Sequence, residues 1–78
     1  MKIELLGTGC AKCNRMKKNL DEAVRKLGIP AEDVKRIDSL DEIMKRGVMM
    51  TPTLIVDGRI VAQGKVLSVK QLTEILGR

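Results

Sequence analysis

The residues of this chain best equipped for chemistry are its two cysteines, set three apart in Gly7-Thr8-Gly9-Cys10-Ala11-Lys12-Cys13. Residues i and i+3 of a first helical turn are neighbours, with Cα atoms inside the range of roughly 4.4–6.8 Å that a disulfide spans. The pair can therefore open and close. A helix beginning near Gly9 or Cys10 directs unpaired backbone N–H groups and the positive end of its dipole at the first sulfur. Such surroundings lower a cysteine pKa from about 8.5 into a range of about 3.5–7.5, and Lys12 and Arg15 add positive charge nearby. Cys10 thus reads as the nucleophile.

Cys13 heads the apolar series Cys13, Met16, Leu20, Ala23, Val24, Leu27, whose spacing is that of a buried helical stripe, so its sulfur is expected to be shielded. An exposed thiolate beside a protected thiol is what disulfide exchange needs. Cys10 forms the mixed disulfide, and Cys13 attacks it to release the partner.

Two other uses of the cysteines compete. A bridge between residues 10 and 13 closes a very small loop and so constrains the unfolded chain little, which makes a structural staple a poor use of the pair. The stronger rival is a soft-metal carrier for copper or zinc, built on Cys10 and Cys13 with help from Met49 or Met50. With no His and only two Cys, a tetrahedral zinc site lacks donors within one chain. Met49 and Met50 read more simply as apolar packing beside a hairpin. The absence of His also excludes a Cys-His catalytic pair.

The 78 residues suffice for one small domain, residues 1–78, with a thin core. That core contains no Phe, Tyr or Trp and must pack with Leu, Ile, Val, Met and Ala. No aromatic platform exists for a nucleic-acid base. The net charge of +5 comes from 15 basic residues interspersed with 10 acidic ones, a pattern of solvated faces rather than of nucleic-acid binding. No basic segment leads into an apolar one after Met1, and no apolar run approaches about 18 residues, so a cytoplasmic protein without membrane attachment is expected.

The elements that must position the cysteines follow from the pattern. Ile3, Leu5 and Leu6 read as a strand ending at Gly7, and the cysteine helix runs to Leu27, where Gly28 and Pro30 stop it. Asp33 to Ile37 alternates as a short edge strand. Ser39-Leu40-Asp41-Glu42 is a capping box opening a helix through Leu40, Ile43 and Met44 that Gly47 ends. Pro52 introduces the strand Thr53–Val56, Asp57-Gly58 turns the chain, and Arg59–Ala62 returns until Gly64. A second capping box, Ser68 to Gln71, with Leu67 and Leu72 as a hydrophobic staple, opens a last helix whose buried face is Val69, Leu72, Ile75 and Leu76. The order β-α-β-α-β-β-α predicts an α/β fold: a four-stranded mixed sheet with helices on both faces and the first strand central. The cysteine loop then sits at that strand's carboxyl end, where ligands of open α/β sheets bind.

With these residues in place, the chain resembles the small archaeal and bacterial thioredoxin-like, or glutaredoxin-like, redox-active disulfide proteins, a minimal thioredoxin fold. The resemblance covers essentially the whole chain and rests on residues 7–13, Thr51-Pro52-Thr53-Leu54, Asp57-Gly58 and Gly64. It implies that Pro52 is cis and packs against the cysteines, and that the Thr51 backbone hydrogen-bonds a bound partner. Glu4, six residues before Cys10, stands where thioredoxins carry a buried aspartate, which implies that it accepts the proton of Cys13. Lys12 is expected to aid thiolate formation. The implied partners are disulfide-containing protein clients and an upstream flavoprotein or thiol reductant, acting on a monomer that holds no cofactor.

Overall fold

The computed structural model describes residues 1–77; Arg78, the last residue of the predicted 1–78 domain, lies outside them. The elements in chain order are β1 (Ile3–Leu6), α1 (Ala11–Leu27), β2 (Val34–Ile37), α2 (Leu40–Lys45), β3 (Thr53–Val56), β4 (Arg59–Gln63) and α3 (Val69–Leu76). A short 3-10 turn, Ala31–Asp33, takes the first residue of the predicted second strand.

The sheet order is β2-β1-β3-β4. β1 runs parallel to β2 and antiparallel to β3, and β3 pairs antiparallel with β4. All four β1 residues are buried, because both faces of this inner strand are covered. Ile3 and Leu5 point into a cluster with Met16, Leu20 and Ala23 of α1, Leu54 and Ala62 of the hairpin, and Leu72 and Leu76 of α3. Leu6 points the other way, into a smaller cluster with Ile37, Ile43, Val48 and Ile55 under α2. Helices α1 and α3 thus share one face, and α2 covers the other.

The α1 stripe is buried at Cys13, Met16, Leu20 and Ala23, whereas Leu27, the last residue of the helix, is exposed. Gly28, at φ 69°, returns its N–H to Arg25 and Val24, the left-handed cap expected of glycine there. Asp57 and Gly58 both have positive φ, as the two-residue hairpin turn requires. β4 departs from the predicted Arg59–Ala62: it extends to Gln63 and carries a bulge opposite Leu54 and Ile55.

The capping boxes differ. Ser68 and Gln71 bond reciprocally, 2.9 and 3.1 Å, so the α3 box is complete. At α2 the Ser39 hydroxyl accepts the Glu42 N–H at 3.5 Å, but the Glu42 carboxylate lies toward Arg46 instead of reaching back. Only Ile43 of this six-residue helix is buried; Leu40 and Met44 are 61% and 65% exposed, since a single turn offers the small cluster one side chain. The apolar packing read for Met49 and Met50 divides: Met50 lies over Gly64 beside the hairpin though 55% exposed, whereas Met49 is 91% exposed.

Candidate functional site

The site lies where β1 ends and α1 begins. Cys10 is the N-cap of α1: its backbone is extended, at φ −69° and ψ 168°, and its sulfur accepts the Cys13 backbone N–H at 3.3 Å. That sulfur thereby satisfies one of the orphan donors of the first turn. The Asn14 amide bonds the Gly9 carbonyl at 3.3 Å and ties the preceding loop to the helix. One turn later Cys13 begins the buried stripe, so Cys10 is exposed while Cys13 is buried. Both are free thiols, with sulfurs 2.6 Å apart and in hydrogen-bond contact.

Gly7 explains how the second sulfur fits. A Cβ there would stand 2.9 Å from the Cys13 sulfur, so a side chain at the strand end would push the thiol away. A cavity of about 170 Å³ opens beside it, lined by Gly7, Gly9, Cys13, Asn14, Lys17 and Arg36 among others. The sequence marks Gly7 only as the end of a strand; its contact with Cys13 becomes visible once the helix is folded back.

The loop before β3 closes the other side. The Thr51–Pro52 peptide bond is cis, Pro52 is buried, and its carbonyl accepts the Gly64 N–H at 2.8 Å. The Thr53 hydroxyl holds the same loop by donating to the Met50 carbonyl at 2.6 Å. The Met50 side chain lies over Gly64, close enough that a Cβ on Gly64 would stand 2.6 Å from the Met50 terminal methyl.

Burial pushes the Cys13 thiol up, but hydrogen bonding to Cys10, to the Thr51 side chain and to the backbone at Thr8 and Cys10 outweighs it and holds the thiol below its ordinary range. The sequence directs attention to Cys10 as the acidified sulfur. In the structure the lowering is resolved at Cys13, the sulfur hydrogen-bonded to Cys10.

Glu4 is buried, yet on the far side of the sheet from Cys13. Its register partner on β3 is Ile55, a member of the cluster under α2, while its neighbour Leu5 pairs with Leu54 on the α1 face. Its carboxylate meets Arg46 at 2.6 Å. The Arg46 guanidinium, helped by Lys2 and Lys35, holds the Glu4 carboxyl below the ordinary carboxylate range against the opposing effect of burial. Cys10, Cys13, Thr51 and Pro52 are therefore brought together, whereas Glu4 is directed to Arg46, a partner with no sequence signal beyond its charge. Lys12 is exposed on the first turn of α1.

Among the described residues, no group of three or more His, Cys, Asp or Glu side chains could hold a metal ion. No helix among them is long and apolar enough to cross a membrane.

Comparison with known proteins agrees with this fold. A family model described as a thioredoxin domain matches residues 1–77. A thioredoxin of Methanothermobacter thermautotrophicus is 43% identical over 76 residues, 97% of each chain. A thioredoxin of Methanocaldococcus jannaschii is 45% identical over 74 residues, 95% of this chain and 84% of that one. A solved structure titled as that of a malarial protein superposes with a TM-score of 0.62 at 14% identity, covering 99% of this chain and 96% of the other, which speaks for the fold alone. These names lend the metal-carrier reading no support. With a minimal thioredoxin fold, a Cys-x-x-Cys helix cap and these relatives, the chain belongs to the thioredoxin family and is a thiol–disulfide oxidoreductase.

Proposed function

We propose that the chain exchanges disulfides with protein or small-thiol partners through Cys10 as attacking and Cys13 as resolving sulfur. The observation that carries this reading is the pairing of one exposed and one buried sulfur, 2.6 Å apart, at a helix cap. The Cys10 thiolate attacks one sulfur of a client disulfide. The client S–S bond breaks, its other sulfur leaves as a thiolate and is protonated by water, and Cys10 is joined to the client. Cys13, deprotonated, then attacks the Cys10 sulfur; the Cys10–Cys13 bond forms, and the second client sulfur leaves and is protonated. The client has gained two electrons and two protons, and this chain has become the disulfide. A flavoprotein or thiol reductant upstream restores the dithiol.

Thr51 and Pro52 form the seat of the client, the Thr51 backbone supplying hydrogen bonds, and Lys12 adds positive charge beside Cys10. Glu4 does not take the Cys13 proton directly; it pairs with Arg46 and holds the end of α2 to the sheet. The chain works as a monomer in the cytoplasm.

The test is mixed-disulfide trapping with 5,5′-dithiobis(2-nitrobenzoate). Cys13→Ser is expected to release one equivalent of thionitrobenzoate and to keep the other as a covalent adduct on Cys10, visible by mass. The unaltered chain releases two and keeps none. Turnover that survives Cys10→Ser would overturn the assignment.

A further inference from the structure

We propose that the face around Cys10 is a docking surface for client segments in which acidic residues flank the disulfide. The inference rests on the exchange chemistry above and adds the class of client.

The charges at this end of the molecule are unevenly placed. Residues 11–18, the first two turns of α1, carry Lys12, Arg15, Lys17 and Lys18, all exposed, and no acidic residue. The first acids of that helix are Asp21 and Glu22, and Asp21 is already bound to Arg36. A fifth exposed cation, Lys65, follows Gly64, whose N–H is bonded to the Pro52 carbonyl. Among the described residues, none of these five takes part in an ion pair. The acids nearby, Asp38 and Asp41, precede and open α2, and Asp38 lines the cavity beside Cys13 together with Lys17 and Arg36.

Beside Gly64, the residue before Lys65, stands apolar surface that the fold leaves uncovered. Met49 is almost fully exposed, and Met50 lies over Gly64 beside the cis proline. Methionine side chains are unbranched and flexible, so they can move off a glycine and repack against different client side chains. An apolar strip of this kind gives contact but little selection. Selection comes from the unneutralised cations, which attract an acidic segment and repel a basic one, with most of the effect in the rate of encounter.

The test uses the full chain, reduced beforehand, in single turnover against three disulfides. Two are peptides of equal length with the same internal disulfide, one flanked by Glu and the other by Lys; the third is uncharged hydroxyethyl disulfide. The acidic peptide is expected to react faster than the basic one by about tenfold at low ionic strength. That ratio shrinks toward unity at about 0.5 M salt, where screening is complete within a few ångströms. The triple variant Arg15→Gln, Lys17→Gln, Lys18→Gln is expected to bring the low-salt ratio within about twofold, on the same steering argument. Equal rates, a preference for the basic peptide, a preference indifferent to salt, or one that survives in the triple variant overturns the inference. If hydroxyethyl disulfide is not reduced, the exchange chemistry fails and the inference falls with it; if it is reduced while the peptides react alike, the inference alone fails.

Discussion

Gly7 sets how the cysteine pair fits, and Glu4 sets how the fold responds to acid. Gly7 leaves the space that Cys13 fills, with a Cβ position only 2.9 Å from its sulfur and 3.0 Å from its Cβ. Gly7→Ala is expected to cost about 1–3 kcal/mol by overpacking, and to lengthen the life of the mixed disulfide by misplacing the resolving sulfur. Denaturant unfolding and the decay of the trapped adduct measure the two effects. Glu4 gives a pH prediction. Its folded carboxyl is held below the ordinary value, so as pH falls the unfolded chain takes up the proton first. Its contribution is complete above about pH 4.3 and is lost as pH falls through the folded value. Glu4→Gln should therefore flatten the acid limb of Tm against pH. It should leave the attack of Cys13 unchanged from about pH 6 to 9, a span set by thiol rather than carboxyl titration. Arg46→Met should lower Tm more than Glu4→Gln does, because a buried carboxylate without its partner is costlier than a neutral amide in its place.

At the scale of elements, the two capping boxes allow a paired comparison. The α3 box is closed on both sides, so Ser68→Ala should cost about 1 kcal/mol, or about 4–8 °C in Tm for a domain of this size. Ser39→Ala at the half-closed α2 box should cost less, near the lower bound of about 0.5 kcal/mol. Scanning calorimetry of the two variants decides the order. α2 is also the element that carries the loop to Thr51 and Pro52. Its hold on the sheet is Ile43 in the smaller cluster and Arg46 on Glu4. The active-site loop is fastened further by buried Val48 in the same cluster and by the Gly64–Pro52 and Thr53–Met50 hydrogen bonds, whereas α1 is fastened by a stripe of four buried residues.

For the molecule as a whole, stability concentrates in the larger cluster between the sheet and the α1–α3 layer. Leu20 is fully buried there. Leu20→Ala is expected to cost about 2–5 kcal/mol, a large part of the roughly 4–12 kcal/mol that a chain of this length can hold. Urea unfolding should show a large fall in midpoint with an unchanged slope. The same layer carries Cys13 at its edge, so such a loss is expected to slow resolution as well. The β4 edge strand leaves Ile60 and Val61 on the surface.

The sequence by itself determined the order of elements, the edge position of β2, the inner position of β1 and the pairing of an exposed with a buried cysteine. Those features follow from local periods, caps and turn residues within a few positions of one another, such as Gly28, Asp57-Gly58 and Ser68 to Gln71. Tertiary structure alone decided the rest: that Glu4 turns to Arg46 instead of Cys13, that Gly7 makes room for a sulfur, and that Met49 and Met50 stay at the surface. Each of these depends on which face of the sheet a residue meets after the chain has crossed over. A strand's alternation says that two faces exist but not which helix will cover each, and burial is set by whatever arrives from far along the chain.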